Sequence, residues 1–562
     1  MIINKLLVFA KKNWVQNIFL FLLFLAVAVW IIEIPIGGIG RMLPSIDDPC
    51  LVTYIWSWEM HIIPVNPLEL FNTNIFAPFE NTLALTEHML GSLIFAWPLF
   101  LLLKNIVLVF NVISLLSFAV SGLGMYLLAY YLSKNKLASL VAGFIYAFAP
   151  FKLHHQEHIN LSGMWLPYFF LYLEKFFDKQ TWKNTWLLFI TTIIVFLNAM
   201  QYFLFLPIVI ILFFLKNILT KQFVFNKNVL AKFFVFGLFF LVIAVPLYIP
   251  YLQVKHELGF ERSILTVEGL SPDLIDYFIS PFVYKYFYPV FFGEWAVGFG
   301  WLVLLLLIIA SMSIYRRIHR MKEKNSIIIY YFIGLIAFLF SFGYFIQLTR
   351  ADPSGLIGPW AFFYHFIPGF DGVRAVGRYS IFLLLSAGVI IAIGLSELFK
   401  QKIQDYGKKF FLTLVIIVLM LAEFSYVQPT KYIPVSKAAP AVYNWIKTQS
   451  DDNIYLEMPS GGDYLWNNYD AFYIFYSRNH FKKIINGYSG YTPIEYEELS
   501  KQLMHFNIDD INLIADYGVT HIIFHFDYYP MKFKEQTMAG LDKSKKVKLI
   551  RQVENDYVYE IL

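Results

Sequence analysis

The feature that most limits this chain is a series of long apolar runs separated by basic clusters. Apolar stretches lie at about 17–35, 106–131, 137–151, 161–174, 184–198, 200–215, 231–251, 296–315, 327–348, 379–398 and 410–427. A helix rising 1.5 Å per residue crosses a hydrocarbon layer in roughly 20 residues, so such runs are solutions to burial in lipid. Composition agrees. Only 15% of the 562 residues are charged and 58% are hydrophobic, whereas a soluble domain carries about a quarter charged residues. One cysteine, Cys50, excludes an intramolecular disulfide framework and a cysteine metal cluster. A net charge of +5 is too small and too dispersed for nucleic acid.

The lysines and arginines set the orientation. They gather at the N-terminus, at Lys134 and Lys136, at Lys175, Lys179 and Lys183, at Lys216, Lys221, Lys227 and Lys232, at Arg316, Arg317, Arg320, Lys322 and Lys324, and at Lys400, Lys402, Lys408 and Lys409. About eleven spans place every cluster on one side, which the positive-inside rule makes cytoplasmic. The first run lacks a small-residue cleavage site and reads as an uncleaved span. The stretch "HMLGSLIFAWPLFLLL" (88–103) is about 16 residues, and counting it as a span would break the charge pattern. It therefore reads as a helix in the outer leaflet, started by Glu87 and His88.

With this topology three loops face outward, about 37–105, 252–295 and 349–378, and acids and histidines collect there. Spans with few ionisable groups in their middles do not suit an ion or solute pathway. From about Gln428 the chain turns polar. Strand-like runs "NIYLEMP" (453–459), "KKIINGYSG" (482–490), "THIIFHFDY" (520–528) and "YVYEIL" (557–562) alternate with the helical patterns "APAVYNWIKTQ" and "INLIADYG". The predicted architecture is a polytopic α-helical membrane protein, with a membrane domain over 1–428 and an extracytoplasmic α/β domain over 429–562.

Four polar constellations mark the outer side. Asp47-Asp48-Pro49 follows the first span, and aspartate before proline suits a helix start, so Asp48 reads either as an N-cap or as a carboxylate that accepts a proton from an incoming hydroxyl. Glu87-His88 is the second. "APFKLHHQEHIN" (149–160) sets Lys152, His154, His155 and His158 within two turns, with His154 and His158 spaced i, i+4 on one predicted helix face, a spacing that suits phosphate or a metal. "PGFDGVRAVGRYS" (368–380) places Arg374 and Arg378 four apart at a span mouth; guanidinium forks match phosphate oxygens, and the alternative is snorkelling to headgroups. No phosphate loop, GxGxxG, GxSxG or HExxH occurs.

On "DDPCLVTYIWSWEMH", "NPLELFNTNIFAPFENTLALTEHMLGS", "LASLVAGFIYAFAPFKLHHQEHINLSGMWLPY", "PGFDGVRAVGRYSIFLLLSAG" and "YIFYSRNHFKKIINGYSGYTP", the chain resembles the bacterial and archaeal membrane glycosyltransferases of the GT-C superfamily. The resemblance implies a polyprenyl-phosphate sugar as donor at the outer face and a glycan, lipid or protein as acceptor. It implies an inverting transfer with the first-loop aspartate as general base. By position that base is Asp48, with Asp47 an extra acid that leaves the assignment open and Glu87 a supporting acid. His88, His155, His158, Arg374, Arg378 and Glu294 are the implied donor-phosphate set. Lys152 stands where similar sequences commonly carry arginine. Some relatives use a divalent cation such as Mg or Mn and others none. A non-catalytic scaffold binding envelope glycan, or a lipid or polysaccharide transporter, are the competing readings.

Overall fold

The structure, a computed structural model, describes residues 13–154, 158–220, 227–280, 283, 297–321, 323–349, 355–425, 432–435, 440–460, 469–504 and 506–562. Each of the eleven expected apolar runs forms a helix. They are Asn13–Ile32, Ile106–Ser133, Lys136–Phe148, Leu166–Asp178, Trp182–Asn198, Met200–Leu219, Lys227–Leu258, Trp301–Tyr315, Lys324–Ser341, Ser380–Lys402 and Tyr406–Phe424. Among the described residues, 7 helices are long and apolar enough to cross a membrane. The remaining four are short, with 13, 17 and 15 residues, or, at Tyr406–Phe424, carry Lys408, Lys409 and Glu423. Large apolar side chains such as Phe19, Trp30, Phe234 and Val242 are exposed on these helices. Water would penalise such a surface and lipid does not. The chain is a membrane protein.

The basic turns between helices carry conventional caps. Asn135 accepts from the N–H groups of Leu137 and Ala138, Thr181 from Asn184, and Asp405 from Lys408, each satisfying a donor that a helix start leaves unpaired.

Two compact units are present, neither continuous in sequence. The first takes in residues 1–34, 112–241 and 261–430. Its centre is Ser380–Lys402, almost wholly buried and packed against Lys136–Phe148, Trp301–Tyr315 and Lys324–Ser341. Small residues make this approach close: a Cβ on Gly394 would lie 2.4 Å from the Ala310 Cα, and one on Gly334 3.3 Å from the Ser386 Cβ. Without a hydrophobic force between helices in lipid, such close backbone packing is what holds them.

The second unit takes in residues 35–111, 242–260 and 431–562. Helix Asp48–Ile62 buries Trp56 and Trp58, whose indole N–H groups donate to the Ser92 Oγ at 2.9 Å and the Leu70 carbonyl at 2.8 Å. A five-stranded sheet organises the C-terminal residues. In order across the sheet the strands are Lys483–Ile484, Ile454–Met458, His521–His525, Asp556–Ile561 and Val547–Val553. The first three are parallel and the last two antiparallel. With helices Ala441–Ile446, Asp470–Ser477, Ile494–Leu503 and Asp510–Asp516 interleaved, this is an α/β arrangement, the fold class the sequence predicts. Of the run "KKIINGYSG", only Lys483–Ile484 is strand. Ile485 and Asn486 still bond Tyr455 and Glu457 of the next strand, and beyond them the Tyr491 N–H bonds Leu85 in the loop at 37–105.

Candidate active site

Helix Asp48–Ile62 begins at Asp48 because Pro49 sits where a helix needs no backbone donor. Asp47 occupies the cap position and its side chain makes no capping hydrogen bond. The N-cap alternative for Asp48 is therefore corrected: Asp48 lies inside the first turn, half-buried, while Asp47 is exposed. One Asp48 oxygen, Oδ1, accepts from the Tyr488 hydroxyl at 3.2 Å. Cys50, two residues on, is buried, and its thiol is pushed far above the ordinary range, first by burial and then by the Asp47 charge, with Arg478 opposing.

Glu87 and His88 precede their helix instead of starting it. Met89 adopts a left-handed conformation (φ 52°), and the helix runs Leu90–Leu103. His88 is buried against Phe71 and Tyr251. Burial pushes its pKa down to about 4. The Leu90 N–H donates to its Nδ1 at 3.4 Å, so the neutral ring carries its proton on Nε2 and acts as a hydrogen-bond donor without charge. The Tyr251 hydroxyl donates to the Thr86 carbonyl at 2.9 Å, fixing the loop just ahead of Glu87.

A C-terminal segment ties these two acid positions into one region of the second unit. The Tyr491 N–H donates to the Leu85 carbonyl at 2.9 Å, and a Cβ on Gly490 would meet that oxygen at 3.2 Å. Three residues earlier, Tyr488 reaches Asp48. Sequence reasoning did not place Tyr488, Tyr251 or Glu59 in the site. Glu59 is fully buried, neither carboxylate oxygen has a hydrogen-bond partner, and burial holds its carboxyl well above the ordinary range. The signal for Tyr488 was its bracketing by Gly487 and Gly490.

In the first unit, Arg374 and Arg378 are half-buried on the re-entrant stretch before Ser380–Lys402. The Gln201 amide donates to the Ala375 carbonyl at 2.6 Å, holding the backbone between them. Helix His158–Gly163 abuts the same region: a Cβ on Gly163 would lie 2.4 Å from Ile381 Cδ1, and the Tyr146 hydroxyl donates to the Gly163 carbonyl at 2.6 Å. Lys152 is fully buried, with its Nζ 2.5 Å from the Ser121 Oγ and 5.0 Å from the Tyr146 ring centroid. His155 and Glu294 lie outside the described residues, as does the side chain of His158. Pro150–His154 and His158–Gly163 are helical, and the expected shared face of His154 and His158 runs through residues outside the described ones. Among the described residues no three His, Cys, Asp or Glu side chains gather to hold a metal ion.

No family profile and no curated protein sequence matches the chain. Solved structures do. The arabinofuranosyltransferase AftD from Mycobacteria aligns at 12% identity and a TM-score of 0.60, covering 96% of this chain and 40% of that one. This chain thus spans about two fifths of AftD. ArnT from Cupriavidus metallidurans, bound to undecaprenyl phosphate, aligns at 11% identity and a TM-score of 0.52, covering 98% of both chains. The oligosaccharyltransferase AglB from Archaeoglobus fulgidus, in complex with an inhibitory peptide and a dolichol-phosphate, aligns at 13% identity and a TM-score of 0.51, covering 93% of this chain and 71% of that one. The chain has the GT-C fold of these membrane glycosyltransferases.

Proposed function

We propose that this protein is a glycosyltransferase that moves a sugar from a polyprenyl-phosphate donor to an acceptor at the outer face of the membrane, with its N-terminus cytoplasmic. Fold alone does not assign chemistry. The observation that carries the reading is the half-buried Asp48 at a helix start after the first span, in a chain whose fold matches proteins solved with dolichol-phosphate and undecaprenyl phosphate.

In this reading Asp48 takes the proton of the acceptor hydroxyl as that oxygen bonds to the anomeric carbon. The bond from that carbon to the phosphate oxygen breaks, polyprenyl phosphate leaves, and a single displacement inverts the centre. Asp47 and Glu87 supply negative potential beside the base. His88 donates a hydrogen bond, while Arg374 and Arg378, with His155 and His158, neutralise the departing phosphate; Glu294 is a further site residue. Donors aimed at charge that develops in the transition state contribute more than donors that bind the ground state.

The test is transfer from a panel of radiolabelled polyprenyl-phosphate sugars in membranes, wild type against Asp48→Asn. Removing a general base lowers turnover by about 100-fold or more. Equal transfer by both proteins would overturn Asp48 as base. Wild-type membranes that fail with every donor would favour the scaffold reading.

A further inference from the structure

Tyr488 is held from both sides by the main chain. The Ile484 N–H donates to the Asn74 carbonyl at 2.8 Å, the Ala77 N–H to the Ile484 carbonyl at 3.0 Å and the Phe76 N–H to the Asn486 carbonyl at 3.3 Å. Asn486, fully buried, exchanges two hydrogen bonds with the Glu457 backbone at 2.7 and 2.9 Å and donates to Asp470 Oδ1 at 2.9 Å. Gly487 passes so close to the Phe76 ring that a Cβ would lie 2.4 Å from it. On the far side, Tyr491 bonds Leu85. A tyrosine fixed at both flanks has little freedom to place its hydroxyl, and that hydroxyl lands 3.2 Å from Asp48 Oδ1. Both side chains are half-buried, so a substrate can reach the pair.

We infer that Tyr488 is the positioning residue for the Asp48 carboxylate, and that the C-terminal region contributes to the active site through it. The inference rests on the reading of Asp48 as the base. A hydrogen bond from a phenol fixes the plane of a carboxylate on a helix start whose neighbour Asp47 is exposed and repels it. Holding a base within a fraction of an ångström of its working position is a kinetic contribution and leaves the donor's binding untouched. This separates it from a packing role.

The experiment uses the full-length protein in detergent or nanodiscs, with the donor on which Asp48→Asn loses activity. Tyr488→Phe is expected to lower kcat by about 10-fold to 100-fold, the size of a hydrogen bond to a charged group, with the donor KM and the thermal unfolding midpoint unchanged. Added to Asp48→Glu, whose carboxylate is displaced by one methylene, Tyr488→Phe should cost far less, because the aligned pair is already broken. Full turnover in Tyr488→Phe, or the same fold-loss in both backgrounds, overturns the inference. If Tyr488→Phe shifts the unfolding midpoint, the Asp48→Glu background decides: a packing defect costs the same fold in both backgrounds and overturns the inference. An active Asp48→Asn overturns the underlying reading instead, whereas an inactive Asp48→Asn with a fully active Tyr488→Phe overturns only the role of Tyr488.

Discussion

His525 is held between two carboxylates, its Nε2 2.9 Å from Glu457 and its Nδ1 2.8 Å from Asp556. Tyr443 also bonds Glu457, and Tyr473 and Tyr528 lie against the imidazole. Burial alone would pull the His525 pKa down, but the hydrogen bonds and charges of Asp556 and Glu457 outweigh it and raise it to about 9. A raised histidine contributes stability that is complete below its unfolded value of 6.5 and is lost as pH climbs through about 9. The unfolding midpoint of the full chain should therefore fall between those values, as stability on the order of 3 kcal/mol at most is lost. Asp556→Asn should shift that fall to lower pH. A midpoint flat from pH 6 to 9.5 would show that the imidazolium carries no such weight. None of this was legible in the sequence, where Glu457 and His525 sit in two separate strand-like runs and Asp556 just ahead of a third. The two aspartates at 47 and 48 were legible as a pair because proline marks a helix start. Which of them enters the helix is a one-residue matter that only the backbone decides.

At the scale of elements, the membrane helices were readable because each is a long apolar run with a polar or basic stop. The strands were readable where one or both faces are buried, as in Ile454–Met458 and His521–His525. Val547–Val553 went unread because four of the seven residues of "VKLIRQV" are exposed, two of them charged, which breaks the alternation. The run 485–491 failed in the opposite sense: its composition suits a strand, yet after Ile485, whose N–H still bonds Tyr455, the Asn486 carbonyl and the Tyr491 N–H bond the 74–85 stretch. Gly487 is the point where that crossing is tightest. Gly487→Ala would set a methyl group 2.4 Å from the Phe76 ring, which is itself fully buried and cannot yield without displacing its neighbours. We expect a destabilisation of about 1–3 kcal/mol, seen as a lower unfolding midpoint, together with a loss of turnover because Tyr488 is the next residue. Gly540→Ala, inside helix Met531–Lys543 with nothing within 4 Å of its Cβ, should leave turnover unchanged and hold or raise the midpoint. An unperturbed Gly487→Ala would mean that the segment moves as a whole without consequence.

For the whole molecule, the two units interleave three stretches of sequence each, and no local pattern announces that. Hydropathy and charge sort the chain into spans and loops, but the pairing of residues 74–85 with residues 482–491 crosses some 400 positions. A contact so distant leaves no periodicity behind. Its consequence is testable by truncation after residue 430. The loop at 37–105 would lose the hydrogen bonds from Ile484, Tyr491 and the Asn74 amide, whose partner is the Lys482 carbonyl at 2.9 Å. It would also lose the antiparallel pairing of Met42–Leu43 with Ile433–Pro434. At a net value on the order of 1 kcal/mol per bond, the loss is comparable with the stability of a small unit. The truncated protein should still insert, because all eleven apolar helices lie before residue 430. Its loop at 37–105 should be cut by added protease many times faster than in the full chain, and its transfer should fall to background. Equal cleavage with full turnover would mean that the loop folds alone and that Asp48 needs nothing from the C-terminal region, which would also remove Tyr488 from the site. Faster cleavage with full turnover would separate the two roles, leaving the C-terminal residues as a support for the loop and not for the chemistry.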